Sequence, residues 1–309
     1  MIEQRVAVLA GGFSLEREAS LRSGEHVLGV LRESGVTADL LEPGPAVLDR
    51  VRDYDVAFLA IHGRIGEDGT IQSMLELIGV PYTGSTAPFS ALAWDKPIAK
   101  GVLQKAGLPT PRFTLFSSAG LRELGAAHWI RDAGELTSYP VIVKPAACGS
   151  ALGVTRVQTP DELPRALMHA MAYSEFVLIE ECIQGTEIAV SILDGEPLPT
   201  TEIEPQIGKY DYAARYTAGA TRFYIPARLD DAVLESATEV ALQAWDALGA
   251  RHLARVDMIV DHDGIPWILE LSPCPGLIST SVFPMAADAS GLGFPLAVER
   301  LVAAAVRDA

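Results

Sequence analysis

The sequence predicts an α/β protein of two or three domains that opens with a parallel α/β unit. Three observations predict it. The first ~90 residues alternate strand, helix and strand, the pattern of βαβ units on a parallel sheet. The 309 residues exceed one domain of roughly 100–200 residues, and 49% hydrophobic side chains suffice for a large core. The third is the stretch His62–Glu76, which follows the apolar run Val56–Ile61. Three glycines in eight residues, with His62, Glu67 and Asp68 between them, suit a turn at the carboxyl end of a buried strand. Open α/β sheets bind ligands there.

Taken in order, Arg5–Ala10 reads as the first strand. Gly11–Glu16 turns into a helix whose Ala19, Ser23, Val27 and Leu31 share one face. Gly35 stands where that helix ends. Val36–Leu41 and Val56–Ile61 are the next strands, and a helix begins at Thr70. A boundary falls near Ser90–Asp95. Lys96–Gly107 reads as a helix closed by Gly107, with Pro109 and Pro111 beyond. Tyr139–Pro145 is a short strand, Ala146–Gly153 a loop of small residues, and Val154–Val157 another strand. Thr159-Pro-Asp-Glu162 matches a capping box with proline at the first helical position, and Pro164 predicts an irregular first turn. Phe176–Glu181 and Glu187–Leu193 are strands. Pro205–Ile225, polar and aromatic with glycine, reads as a mobile loop. Asp230–Leu248 is an amphipathic helix. Ala254–Val260 and Trp267–Leu271 flank a hairpin turn at Asp261–Gly264.

A net charge of −16 and a pI near 4.8 argue against nucleic acid or an anionic membrane as partner. No run approaches the ~18 apolar residues of a membrane helix. The start enters a strand with no basic n-region or cleavage site, so the expected location is cytoplasmic. Cys148, Cys182 and Cys274 are an odd number without metal-ligand spacing, which argues against a disulfide framework. Among 24 basic residues only Lys96, Lys100, Lys105, Lys144 and Lys209 are lysine. A chain that prefers arginine keeps lysine where a compact ammonium serves better than a planar fork. Lys96 and Lys144 are singled out on that ground.

Asp257 and Glu270 lie on the two strands of the last hairpin, at positions that meet across the ladder. Two carboxylates held together repel unless a cation sits between them. Mg²⁺ is bound by one or two carboxylates plus substrate phosphates. Their apolar neighbours disfavour the alternative of two solvated strand residues. Val-Ile-Val-Lys144-Pro precedes a loop with Gly149, Ser150 and Gly153, whose amides can cradle phosphate oxygens beside a lysine. The spacing is not that of a P-loop.

The order Lys96, Lys144, glycine loop, Glu180-Glu181, Glu187, Asp257, Glu270 resembles the ATP-grasp superfamily over nearly the whole chain. Within it the resemblance is to the D-alanine–D-alanine ligase family. Ala10–Ser20, the His62 segment, Pro81–Ser85, Ala91–Lys96, Tyr210–Tyr216 and Pro275-Gly276 carry it. The resemblance implies an N-terminal parallel α/β domain (1–95), a central ATP-grasp domain (96–185) and a C-terminal catalytic ATP-grasp domain (186–309) closing on ATP. Lys96, Lys144 and Arg215 would contact phosphates. Glu180, Glu181 and Ile183 would hold adenine, and Glu187 the ribose. Asp257, Glu270 and Ser272 would bind Mg²⁺, two ions in the family pattern. Glu16, supported by Ser150 and Tyr216, would receive the first D-alanine's ammonium. Arg255 and the Gly276 amide would stabilise an oxyanion, and Ser281 and Val282 would meet the second substrate's carboxylate. A homodimer is the family expectation.

The implied chemistry suits these residues. A carboxylate is a poor electrophile, so ATP first phosphorylates it and the amine of a second amino acid then attacks the acyl phosphate. A closed loop would keep water away. The chain departs from the family at Ser272 (usually Asn), Arg215 (Lys), Ala213 (Glu), Cys148 (Glu), Ala151 (Ser) and Ile278 (Thr). Serine is a shorter, weaker metal ligand than asparagine, so the second ion would be held less tightly. The expected activity is ligation of two D-alanines for peptidoglycan precursors. The alternatives are a diverged ligase joining other amino acids in specialised metabolism, and a non-catalytic nucleotide-binding module.

Overall fold

The computed structural model describes residues 4–125, 139–206 and 219–309 and contains three sheets. The first is wholly parallel, in the order β2 (Ala38–Leu41), β1 (Val6–Leu9), β3 (Val56–Leu59). Every side chain of β1 and β3 is buried, which is why these strands read as unbroken apolar runs. Helix α1 (Arg17–Glu33) packs on the sheet with Val27 and Leu31 in its core. Its Gly24 is required by close approach, since a Cβ there would stand 2.3 Å from that of Ala10. Helices α2 (Val47–Val51), α3 (Thr70–Ile78), α4 (Ala87–Trp94) and α5 (Lys96–Lys105) follow.

The second sheet is antiparallel, ordered β4 (Phe113–Ser117), β7 (Phe176–Glu181), β5 (Val141–Pro145), β6 (Thr155–Val157). Helix α6 (Ser118–Leu124) follows β4, and α7 (Leu163–Met171) covers the sheet with Leu163, Ala166, Leu167 and Ala170. The irregular first turn expected before Pro164 is a 3₁₀ turn over Pro160–Glu162. The capping box is corrected: the Thr159 side chain caps nothing, and Glu162 instead accepts the Gln158 N–H at 2.8 Å. The 3₁₀ turn gives the Glu162 N–H to the Thr159 carbonyl at 3.1 Å instead of to the Thr159 side chain, and it brings the Glu162 carboxylate to the N–H one residue earlier.

The third sheet runs β11 (Thr221–Tyr224), β10 (Thr201–Pro205), β8 (Gly185–Leu193), β12 (Leu253–Asp261), β13 (Pro266–Ser272), with the short β9 (Glu196–Pro197) on β8. Helix α8 (Asp231–Leu248) packs on it through Ala237, Ala241, Ala244 and Trp245. The expected loop before it is partly replaced by β10 and β11, while 207–218 lie outside the described residues.

The cores cross the chain order. Helix α5 packs its apolar Ala99 and Leu103 into the core of the third sheet and α8. The last two helices, α9 (Val282–Ala289) and α10 (Phe294–Arg307), return to the first sheet's core with Phe283, Val298 and Leu301. No single described helix is long and apolar enough to cross a membrane.

Candidate active site

Two adjoining cavities form where the three sheets meet, sharing Lys96, Cys148 and Glu270 as a common wall. One is polar and lies between the carboxyl end of β3, the loop after β5 and the end of β13. The other is a largely apolar slot between the second and third sheets.

In the polar cavity Glu16, just before α1, is buried and accepts the Ser150 hydroxyl hydrogen. Two glycines hold it there. A Cβ on Gly63 would lie 2.1 Å from Glu16 Oε2, and one on Gly149 would lie 2.7 Å from Oε1. Gly63 also has φ +75°, a region side chains disfavour. The turn after β3 is thus glycine-rich because it passes against a carboxylate, a reason the motif alone does not disclose.

His62 and Glu67 from that turn also reach the cavity. Burial pushes the His62 imidazole down to about 4, so the ring is neutral at pH 7. Nδ1 faces the Cys274 carbonyl at 3.2 Å and must carry the hydrogen. Nε2 therefore accepts from the Ser23 hydroxyl at 2.8 Å, and the Ser23 oxygen accepts the Leu277 N–H at 3.3 Å. This chain fixes the Pro273–Leu277 loop to α1 and β3. Burial, then the neighbouring Glu16 charge, push the Glu67 carboxyl well above the usual carboxylate range. Glu67 Oε1 accepts the Gly63 N–H at 2.7 Å. Neither residue was assigned a site role from sequence, although both stand in the stretch singled out there.

The last hairpin supplies the opposite wall. Arg255 pairs with Ser272 and Asp257 with Glu270 across the β12–β13 ladder, so all four share a face. The sequence expectation for the carboxylate pair holds, by a device it did not contain. Met258 pairs with Ile268, and Leu269 is an extra residue in a bulge that brings Glu270 opposite Asp257. Leu269 and Glu270 consequently both line the slot. Arg255 grips Asp257 through two hydrogen bonds of 2.6 and 2.7 Å. Lys96 lies 3.2 Å from Glu270 and donates to the Cys148 carbonyl at 2.6 Å. Burial opposes its charge, but Glu270, with Cys148 and Glu67 adding to it, raises the Lys96 pKa above its ordinary value. Asp95 orients this lysine by capping α5, accepting the Ile98 N–H at 3.1 Å.

The slot is lined by Ile142, Leu152, Val154, Ile259 and Leu269, with Lys144, Glu180, Glu181, Ile183 and Glu187 around them. Glu180, expected to hold adenine, lines the slot with its carboxylate already engaged. Its carboxylate is buried between two lysines, with Lys100 at 2.5 Å and Lys144 at 2.6 Å. Burial opposes its ionisation, but Lys144 and Lys100 outweigh that and hold its pKa below the usual value. Lys100 was not singled out from sequence. Its spacing of four from Lys96 on one helix was the available signal.

Gly276 lines the polar cavity, and a Cβ on it would stand 2.6 Å from Ser281 Oγ. Val282 does not present its side chain there. It packs with Ala189 and Ile203, leaving its backbone N–H, the first of α9, as what it can offer. Tyr216 and Arg215, like Ala213 and Lys209, lie outside the described residues. Burial pushes the Cys148 thiol up to about 11, and that of Cys274 well above its ordinary value, so both behave as small packing groups.

The arrangement joins an acidic pocket, an oxyanion-capable arginine and a lysine-flanked apolar slot through two facing carboxylates. Among the described residues no three His, Cys, Asp or Glu side chains converge as a metal cluster. Two oxygen donors facing a phosphate-sized, lysine-rich cavity nevertheless match the partial protein shell that Mg²⁺ takes when phosphates complete it.

Residues 40–85 match the family described as D-ala D-ala ligase N-terminus, and residues 102–303 that described as D-ala D-ala ligase C-terminus. The chain is 42% identical over 310 residues to a D-alanine–D-alanine ligase of Pelotomaculum thermopropionicum, covering 98% of this chain and 97% of that protein. Its fold is similar to the crystal structure of D-alanine–D-alanine ligase from Bacillus anthracis complexed with ATP, with TM-score 0.84, 30% identity, and coverage of 100% and 98%. It is also similar to the VanG D-Ala:D-Ser ligase from Enterococcus faecalis, with TM-score 0.83, 27% identity, and coverage of 98% and 100%.

Proposed function

The chain belongs to the D-alanine–D-alanine ligase family, and on that premise we propose how its two cavities divide the work of an ATP-dependent carboxylate–amine ligase. The enzyme joins two D-alanines to D-alanyl-D-alanine, the dipeptide of peptidoglycan precursors. The single observation that carries the division is the shared wall of Lys96 and Glu270 between an acidic pocket and a lysine-flanked slot.

ATP enters the slot, its base among Ile142, Leu152, Val154 and Ile259, its ribose toward Glu187 and its phosphates toward Lys144 and Lys96. The first D-alanine places its ammonium on Glu16 and its carboxylate toward the shared wall. Asp257 and Glu270, with Ser272 as a weaker third donor, would hold Mg²⁺, which neutralises phosphate charge when bound. Arg255, held by Asp257, would donate to the oxygen on which charge develops in the tetrahedral intermediate, and Gly276 lines the same cavity. The N-terminus of α9, with Ser281, receives the second substrate's carboxylate. His62 keeps that loop in place. Tyr216 and Arg215 would complete the ammonium and phosphate contacts. The division 1–95, 96–185 and 186–309, a homodimer and a cytoplasmic location belong to the same reading.

A D-serine acceptor is the second reading, favoured by the likeness to the VanG ligase. Incubating the enzyme with Mg²⁺-ATP and equal D-alanine, D-serine and D-lactate tests the choice by product mass. The main reading expects D-alanyl-D-alanine to dominate, and a D-alanyl-D-serine majority would overturn it.

A further inference from the structure

Lys96 and Lys144 line the nucleotide slot, and a third lysine lies behind them on the slot's Glu180. The third, Lys100, is 2% exposed, on the side of α5 away from solvent. Its Nζ donates to Thr110 Oγ1 at 2.6 Å, and Thr110 donates to the Ile268 carbonyl at 2.8 Å, beside the bulge in β13. The Phe113 ring of β4 covers it at 5.5 Å from the centroid. The charged groups acting on it are Glu180 from β7 and Lys144 from β5. A buried lysine without a task is rare, because burying its charge is unfavourable unless paired.

The charge count in this cluster decides its use. Lys144 and Glu180 alone would form a neutral buried pair, and an ammonium so neutralised attracts a phosphate weakly. Lys100 is the second cation on the same carboxylate. The three groups together carry a net charge of one positive unit, buried at the floor of the slot in a chain of net charge −16.

We propose that Lys100 is a positioning residue for the nucleotide's phosphates: by sharing Glu180 with Lys144, it leaves Lys144 with charge to offer the phosphates. The inference rests on the reading that this slot takes ATP. Burial pushes Lys100 down to about 8, against the pull of Glu180 and with Lys144 adding to the push. Its charge, and hence phosphate affinity, is therefore lost as the pH rises above that value. Thr110 holds the ammonium on the Glu180 side and couples it to the strand carrying Glu270.

The test measures dissociation constants of Mg²⁺-ADP and of adenosine for the wild type, Lys100→Met and the double variant Lys100→Met/Glu180→Gln. Adenosine reads the base pocket alone, so the ratio of the two constants isolates the phosphates. Lys100→Met is expected to weaken ADP about tenfold while adenosine is unchanged. The double variant removes one charge of each sign, restores the net positive charge, and is expected to regain an ADP-to-adenosine ratio within about threefold of wild type. A merely structural Lys100 would weaken both ligands alike, and the double variant would be no better than the single one. Either result overturns the proposal. Should Lys100→Met fail to fold, the wild type decides: ADP affinity falls severalfold from pH 7 to pH 9 while adenosine stays flat, and a flat ADP curve overturns the proposal. A wild type that binds no ADP overturns the nucleotide reading and this inference with it.

Discussion

Acid should weaken this protein through one buried imidazole, and the size of the effect follows from the His62 environment. His62 is 4% exposed, and burial lowers its pKa from 6.5 to about 4. The unfolded chain therefore binds this proton more readily than the folded one between those values. The neutral ring's contribution is fully present above pH 6.5 and is lost as pH falls through about 4. Proton linkage between pH 7 and pH 4 amounts to about 3 kcal/mol, with about 2 kcal/mol of it lost by pH 5. Other groups titrate in the same range, so the perturbation is a difference between two proteins. In His62→Gln the amide can still donate to the Cys274 carbonyl and accept from Ser23, but it carries no proton equilibrium. Urea unfolding of both at pH 7, 6, 5 and 4 should show the wild type losing about 3 kcal/mol more than the variant over that range. Parallel pH curves would refute the buried neutral imidazole and the tautomer derived from it.

Gly63→Ala places a methyl group against Glu16 Oε2 and forces a side chain to φ +75°. Initial-rate kinetics should show the KM for D-alanine rising about tenfold or more, with that for ATP unchanged, as expected for a displaced charged contact. Ser272→Asn supplies a carbonyl oxygen at the third donor position, so half-maximal activity should need less Mg²⁺; an unchanged requirement would place Ser272 outside the metal shell. Iodoacetamide at pH 7.5 should alkylate Cys148 slowly in intact-mass measurements, because its thiol is pushed up to about 11. Rapid labelling would contradict that environment.

Much of the fold was legible because its signals are local. The buried runs Val6–Leu9 and Val56–Leu59, the amphipathic helix ending at Leu248, and the Asp261–Gly264 turn need no long-range knowledge to be read. That Asp257 and Glu270 stand near each other on one hairpin was legible for the same reason, but their register was not. The remainder depends on contacts between distant segments. The bulge at Leu269 leaves no mark in an apolar strand, yet it sets which residue faces Asp257. That the apolar face of α5 would join the core of the third sheet left no mark in its local pattern. The ion pairs of Glu180 were not legible because its two lysines come from residues 100 and 144, which only the fold brings together. His62 was visible, but its partners, Ser23 and Cys274, lie 39 and 212 residues away.

The most direct test of the central claim is ADP release by the purified protein with Mg²⁺-ATP, with and without D-alanine, reading product mass from the same tube. The account predicts ADP release that depends on D-alanine and a product with the mass of D-alanyl-D-alanine. ATP binding without D-alanine-dependent turnover, or a product of another mass, would contradict it.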